Sequence, residues 1–143
     1  MTGSGGAGPD VDEAVSSLVA GLDPAMAVVT ATADGDRSGC LVGFHGQASI
    51  APGHYCLWLS KANHTYRVAL RATHLAVHFL AESDLATAEH FGTQTGESVD
   101  KLAGVEVETH AHGVPLLAAC PRRLVLERIA LLDVGGDHVC LTG

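Results

Sequence analysis

The fold turns on one stretch, Met26-Ala27-Val28-Val29-Thr30-Ala31-Thr32-Ala33-Asp34-Gly35-Asp36-Arg37-Ser38-Gly39-Cys40-Leu41-Val42-Gly43-Phe44. Met26 to Ala33 is rich in β-branched residues. Asp34-Gly35 then supplies the left-handed backbone that a tight hairpin needs, and Ser38 to Phe44 returns as a second strand. Strands joined this way are antiparallel neighbours. Further along, Tyr55 to Leu59 reads as a strand after Ala51-Pro52-Gly53, and His74 to Leu80 as a buried one. Val105 to His110, Arg123 to Asp133 and His138 to Leu141 complete about seven strands. The chain opens with hairpins, not with a β-α-β alternation, which favours an antiparallel barrel or sandwich with short helices added.

The helices are legible in their spacing. Val11, Val15, Leu18, Val19 and Leu22 form one apolar stripe, ended by Asp23-Pro24. Asn63 stands where an N-cap would, ahead of a helix to Ala72, and Ser83 does the same for a helix over Asp84 to Phe91. Glu97 to Ala103 reads as one more helical turn or two. Residues 1–10 are Gly-rich and are expected to be a disordered tail, with one domain over 11–143.

Composition narrows the function. The 143 residues are 47% hydrophobic, enough for a core without metal or disulfide. Cys40, Cys56, Cys120 and Cys140 are scattered, and no charged-then-apolar leader precedes the domain, so reduced thiols and a cytoplasmic location are expected. No apolar run is long enough for a membrane span. The net charge of −8 disfavours nucleic-acid binding. Yet from Arg37 to Ala81 there is no Asp or Glu, while Arg37, Lys61, Arg67 and Arg71 fall inside that window. Such a segment is either mostly core or a local anion site.

Gly3-Ser4-Gly5-Gly6-Ala7-Gly8 spells a dinucleotide fingerprint but has no strand before it, so it is rejected. His74 with His78, and His110 with His112, lack the cysteine or carboxylate partners of a zinc spacing, and no metal site is assigned. Trp58 and Tyr66 read as core or rim aromatics. The informative segment is Ser60-Lys61-Ala62-Asn63-His64-Thr65-Tyr66, a strand-to-helix junction with a cation and several donors, suited to a phosphate. No nucleophile, base and orienting group assemble, which is compatible with a bound cofactor performing the chemistry.

A series of short motifs in order carries a resemblance: Ala27 to Thr30 with Gly35, Gly39 to Val42, Ala48 to Pro52, Lys61 to Tyr66, Phe79 to Glu82, Ala88 to Gly92, Gly113 to Leu117, and Gly136-Asp137-His138. This series resembles the flavin-reductase-like, FMN-binding split-barrel family. The resemblance implies a six-stranded antiparallel split β-barrel, a homodimer, FMN or FAD as cofactor, and NAD(P)H as the reductant, with a monooxygenase as a possible partner. It also implies site residues. Val42, Gly43, Phe44, His45, Gln47 and Ser49 would lie along the flavin ring, and Lys61, Asn63, His64 and Thr65 would hold the phosphate end. His138 would be the catalytic residue beside flavin and nicotinamide. The chain departs from the family in three ways. Gly43 to Ser49 is poor in hydroxyls, Pro52-Gly53 replaces a Pro-Pro pair, and family members generally continue beyond the position of Gly143. Those departures keep other readings open: a flavin-binding electron carrier, a split-barrel oxidoreductase with another donor, or a flavin-free binding or oligomerisation module.

Overall fold

The structure, a computed structural model, describes residues 9–20, 25–92 and 100–143. It is mainly β with short helices. Helix α1 (Pro9–Ala20) begins two residues earlier than the spacing suggests. Strands β1 (Ala27–Ala33) and β2 (Asp36–Val42) form the expected hairpin, with Ala33 opposite Asp36. Asp34 and Gly35 both have positive φ, 53° and 79°, which matches the twist of paired strands. Then come β3 (His45–Ser49), β4 (His54–Ser60), α2 (His64–Ala69) and β5 (His74–Phe79). A 3₁₀ turn over Glu82–Asp84 leads into α3 (Leu85–Gly92). The remaining strands are β6 (Val107–Thr109), β7 (Pro115–Leu117), β8 (Arg123–Glu127), β9 (Ala130–Leu132) and β10 (His138–Thr142).

Among the described residues these ten strands form three sheets, ordered β2-β1-β5-β8, β3-β4-β10-β9 and β6-β7. Ten replace the expected seven or six for identifiable reasons. Arg123 to Asp133, read as one strand, is two in different sheets. The Arg128 N–H bonds Thr73 O at 2.8 Å in the first sheet, and the next N–H, of Ile129, bonds Thr142 O at 2.9 Å in the second. Nothing in its apolar pattern marks that crossing. The chain crosses sheets likewise from β2 through Gly43-Phe44 into β3, which Gly46 and Gln47 disguise as a loop. Strand β7, which falls between two of the expected strands, is three buried residues with Pro115 in first position, where a missing N–H is tolerated.

The main core lies between the two four-stranded sheets. Ala27, Val29, Ala31, Cys40, Val42, Leu75 and Val77 meet Leu57, Leu59, Val139 and Leu141, with Val68 and Ala69 of α2 at one end. The opposite face of the first sheet is also covered. There Val28 packs with Phe91, Leu102, Leu117 and Cys120. Burial on both faces explains why Ala27 to Ala31 are buried without a break instead of alternating. Fully buried His78 ties that second layer down. Its Nδ1–H donates to Val28 O at 3.0 Å, and its Nε2 accepts the Leu117 N–H at 3.0 Å. Both bonds require the neutral ring, and burial pushes its pKa down.

Two expected caps differ. Asn63 occupies the N-cap position of α2 but makes no capping bond with its side chain. The turn is instead closed by Ser60 Oγ, which accepts the Ala62 N–H at 3.2 Å. Ser83 lies within the 3₁₀ turn, and Asp84 does the capping by accepting the Ala81 N–H at 2.8 Å. Leu22, the Asp23-Pro24 break, and residues 1–8 and 93–99 lie outside the described residues. No helix among the described residues is long and apolar enough to cross a membrane. All four cysteines are free.

Candidate functional site

In β4, Leu57 and Leu59 point into the core, so Cys56, Trp58 and Ser60 face outward. In β10, register sets Cys140 opposite Trp58 and His138 opposite Ser60. Phe44, just before β3, accepts the Trp58 N–H at 2.9 Å. One end of the outer face of this sheet therefore gathers Phe44, Trp58 and His138 on neighbouring strands. Two large aromatic rings are left in solvent there, Phe44 at 47% exposed and Trp58 at 37%. The Phe44 and His138 ring centroids are 5.3 Å apart at 59°.

His138 is oriented from the other side. Its Nδ1–H donates to the Asp137 carboxylate at 2.8 Å, which holds Asp137 below the usual carboxylate range. With the proton on Nδ1, the imidazole's Nε2 has no partner among the described residues. Lys61 sits one step past β4. Its N–H bonds Asp137 O at 2.9 Å, and its Nζ donates to Asp133 Oδ1, also at 2.9 Å. That bond, with the Gly135 N–H, keeps the Asp133 carboxyl below its ordinary pKa.

The other expected site residues are dispersed. Val42 points into the core at 4% exposed, and Gly43 backs onto Met26. His45 has both nitrogens engaged. Its Nε2–H donates to Ala25 O at 2.7 Å, and its Nδ1 accepts the Tyr55 hydroxyl at 2.6 Å. Gln47 is exposed, its amide bonded only to Ser49 O at 3.2 Å, and Ser49 follows a register shift in the β3–β4 ladder. Both lie toward the far end of β4 from Lys61. Gln47 lines a groove of about 620 Å³ together with Tyr55, Leu124, Leu126 and Ile129. His64 contacts the Asp36 carboxylate at 3.1 Å and lines a separate cleft of about 300 Å³ with Arg37, Ser38 and Lys101. The Thr65 hydroxyl is buried and bonded to Ser38 at 2.8 Å. Helix α2 is only six residues long, so its macrodipole adds little charge attraction. The structure thus brings Phe44 and His138 together at the sheet end that carries Lys61, keeps Asn63 beside that end through its N–H to Ser60 O at 3.1 Å, and engages Gln47, Ser49, His64 and Thr65 elsewhere.

Sequence reading passed over Trp58 as a site residue. The signal was available: in Tyr55-Cys56-Leu57-Trp58-Leu59, two leucines at period 2 force the tryptophan to the opposite face. Asp133 was also missed as the partner of Lys61, a contact that depends on tertiary structure, whereas the bond of Asp137 to His138 joins neighbours within the Gly136-Asp137-His138 motif. As a set, two exposed aromatic rings, an imidazole nitrogen and a lysine fit a planar aromatic group with an anionic tail.

The comparisons agree with this fold. The structure is similar to the NADH:FAD oxidoreductase of Streptomyces globisporus C-1027, with a TM-score of 0.80 and 21% identity over 96% of this chain and 83% of that one. It is similar to a homologue of nitrilotriacetate monooxygenase component B from Mycobacterium thermoresistibile, with a TM-score of 0.79 and 19% identity over 95% and 74%. It is also similar to an FMN-binding protein from Thermus thermophilus, with a TM-score of 0.77 and 21% identity over 84% and 66%. The chain spans about two thirds of the length of the first solved structures it matches. The sequence pattern of the flavin reductase like domain matches residues 21–143, and the chain belongs to that family.

Proposed function

We propose that this chain binds a flavin nucleotide, FMN or FAD, on the outer face formed by Phe44, Trp58 and His138, and that it catalyses flavin reduction by NAD(P)H. The observation that carries the reading is the convergence of two exposed aromatic rings, an imidazole Nε2 without a partner among the described residues, and Lys61 at one end of one sheet. Family membership and the likeness to an NADH:FAD oxidoreductase support it. So does the strand pairing. If β2 with β3 and β8 with β9 are each counted as one bent strand, six segments remain. They pair in a ring, β1 to β2/β3, β4, β10, β9/β8, β5 and back to β1, as a six-stranded split barrel would.

The bound flavin supplies the hydride-accepting chemistry; the chain supplies position and charge. Phe44 and Trp58 offer flat apolar faces that hold a planar ring and keep water from one side of it. Lys61 places a cation where a phosphate would end. Asp137 fixes the His138 ring so that Nε2 faces outward as a hydrogen-bonding group. No residue needs to act as nucleophile. A homodimer is part of the proposal, since Leu132 and Val134 beside the site are 62% and 81% exposed and offer apolar surface to a second copy. A monooxygenase receiving reduced flavin is the proposed partner, in line with the monooxygenase component B homologue. The free cysteines suit a cytoplasmic setting.

Titration with FMN, followed by flavin fluorescence, tests the placement. Phe44→Ala should weaken binding by about 2- to 10-fold, the worth of one aromatic contact of roughly 0.5–1.5 kcal/mol. Unchanged binding in Phe44→Ala, with weakened binding in Gln47→Ala, would move the ring to the groove at the far end of the sheet. One observation favours a second reading, a flavin-binding electron carrier: His45 is fully engaged within the protein, and the stretch around it has few hydroxyls to bond the ring.

A further inference from the structure

Two thiols meet on the sheet that carries the candidate site, and the proposed function gives them no task. Tyr55 and Gly143 exchange both backbone bonds, at 2.9 and 3.0 Å, and the Lys61 N–H bonds Asp137 O. Hydrogen-bonded pairs therefore fall at 55/143, 57/141, 59/139 and 61/137. Between them, Cys56 opposite Thr142, Trp58 opposite Cys140 and Ser60 opposite His138 are the close, non-hydrogen-bonded pairs. Cys56 and Cys140 are thus diagonal neighbours on one outer face, and the right-handed twist of paired strands shortens this diagonal. Burial, and after it the neighbouring Cys140 thiol, push the Cys56 thiol up, and Cys56 Sγ–H donates to Gly46 O at 3.3 Å. Cys140 is half-buried and reachable from solvent; Cys40 and Cys120 are buried at 2% each in separate clusters.

We propose that Cys56 and Cys140 form a peroxide-responsive dithiol that closes to an intramolecular disulfide across β4 and β10. The more accessible Cys140 thiolate attacks one oxygen of hydrogen peroxide. The O–O bond breaks, Cys140 becomes a sulfenic acid, and the departing hydroxide takes up the thiol proton and leaves as water. The Cys56 sulfur then attacks the sulfenic sulfur. Its proton leaves with the hydroxyl as a second water, so two thiols lose two electrons and one peroxide is reduced to two waters. Diagonal neighbours start about 7–8 Å apart at Cα, closer at Cβ, whereas a disulfide holds its Cα atoms within about 6.8 Å. Closure must draw the strands together by about 1 Å, so the bond is strained and easily reduced. Trp58, the cross-strand partner of Cys140 and the only tryptophan, reports that movement. The proposal does not depend on flavin binding.

The test uses the full chain without flavin. The protein is treated with a modest excess of hydrogen peroxide, denatured, alkylated with iodoacetamide and mapped by mass spectrometry. The expected product has lost two hydrogens and takes up two alkyl groups where the reduced chain, with four free cysteines, takes up four. Tryptic peptide 38–61 is joined to 129–143, with the bridge at Cys56 and Cys140 by fragmentation. Dithiothreitol reverses the product, and Trp58 emission changes with its formation. Cys140→Ser should leave Cys56 alkylatable after the same treatment; should that variant fail to fold, the wild-type map decides. Sulfinic or sulfonic acid at either position, an intermolecular bridge, a bridge to Cys40 or Cys120, or four thiols surviving peroxide would each overturn the proposal.

Discussion

Replacing Lys61 or its partner Asp133 should change affinity for FMN and leave affinity for riboflavin alone, because the two flavins differ only in the phosphate. Lys61 Nζ and Asp133 Oδ1 are 2.9 Å apart, with side chains 32% and 40% exposed. An ion pair that wet contributes little. A charge-assisted bond from the same ammonium to a phosphate is worth roughly 1.5–3 kcal/mol, and partial exposure puts it near the lower end. Lys61→Ala should therefore weaken FMN by about 10- to 30-fold. Asp133→Asn removes the competing carboxylate and frees the ammonium, so FMN should tighten by up to about 5-fold, the upper worth of the exposed pair. The assay is flavin fluorescence quenching, run with both flavins against the wild-type protein and both variants. Equal weakening of FMN and riboflavin in Lys61→Ala, or weaker FMN binding in Asp133→Asn, would refute a phosphate at this lysine.

Three more outcomes are expected. His138→Ala should lower the rate of flavin reduction by NADH more than it raises the Kd for flavin; a change in Kd alone would make His138 only a flavin contact. Because burial depresses the pKa of His78, the unfolded chain takes up a proton below about pH 6.5 that the folded chain refuses. The stability contributed by the neutral His78 is therefore complete above that pH and is lost as pH falls toward the folded pKa. Urea midpoints at pH 7.5 and 5.5 should differ more in the wild-type protein than in His78→Gln, and identical differences would contradict this. Gly39→Ala should destabilise by about 1–3 kcal/mol, since a Cβ there would stand 2.9 Å from Cε1 of the buried Phe91 ring. An unchanged urea midpoint would mean that Phe91 yields without cost.

Local signals in the sequence were strong enough to place β1, β2, β4, β5 and β10, because each carries β-branched or aromatic residues, a period-2 alternation or a flanking turn signal. What stayed hidden depends on distant partners. Strand β3 is a strand because Gly46 and its neighbours pair with β4, and no propensity marks it. The division of β8 from β9 depends on Thr73 and Thr142 accepting from consecutive amides. The same limit applies at the site. Phe44 and His138 could be singled out by motif, and they meet. The engagement of His45 by Ala25 and Tyr55, and of Thr65 by Ser38, is tertiary, and no spacing announces it. Conversely, Trp58 could have been assigned to the outer face from period 2 alone.

In the proposed function this chain, carrying a flavin, accepts reducing equivalents from a nicotinamide nucleotide. The most direct test is anaerobic. The protein is mixed with FMN, NADH or NADPH is added, and absorbance at the flavin band is followed against FMN alone. Rapid bleaching that scales with protein concentration and is slowed by His138→Ala is expected. Saturable flavin binding without bleaching by either nucleotide would contradict the proposed function.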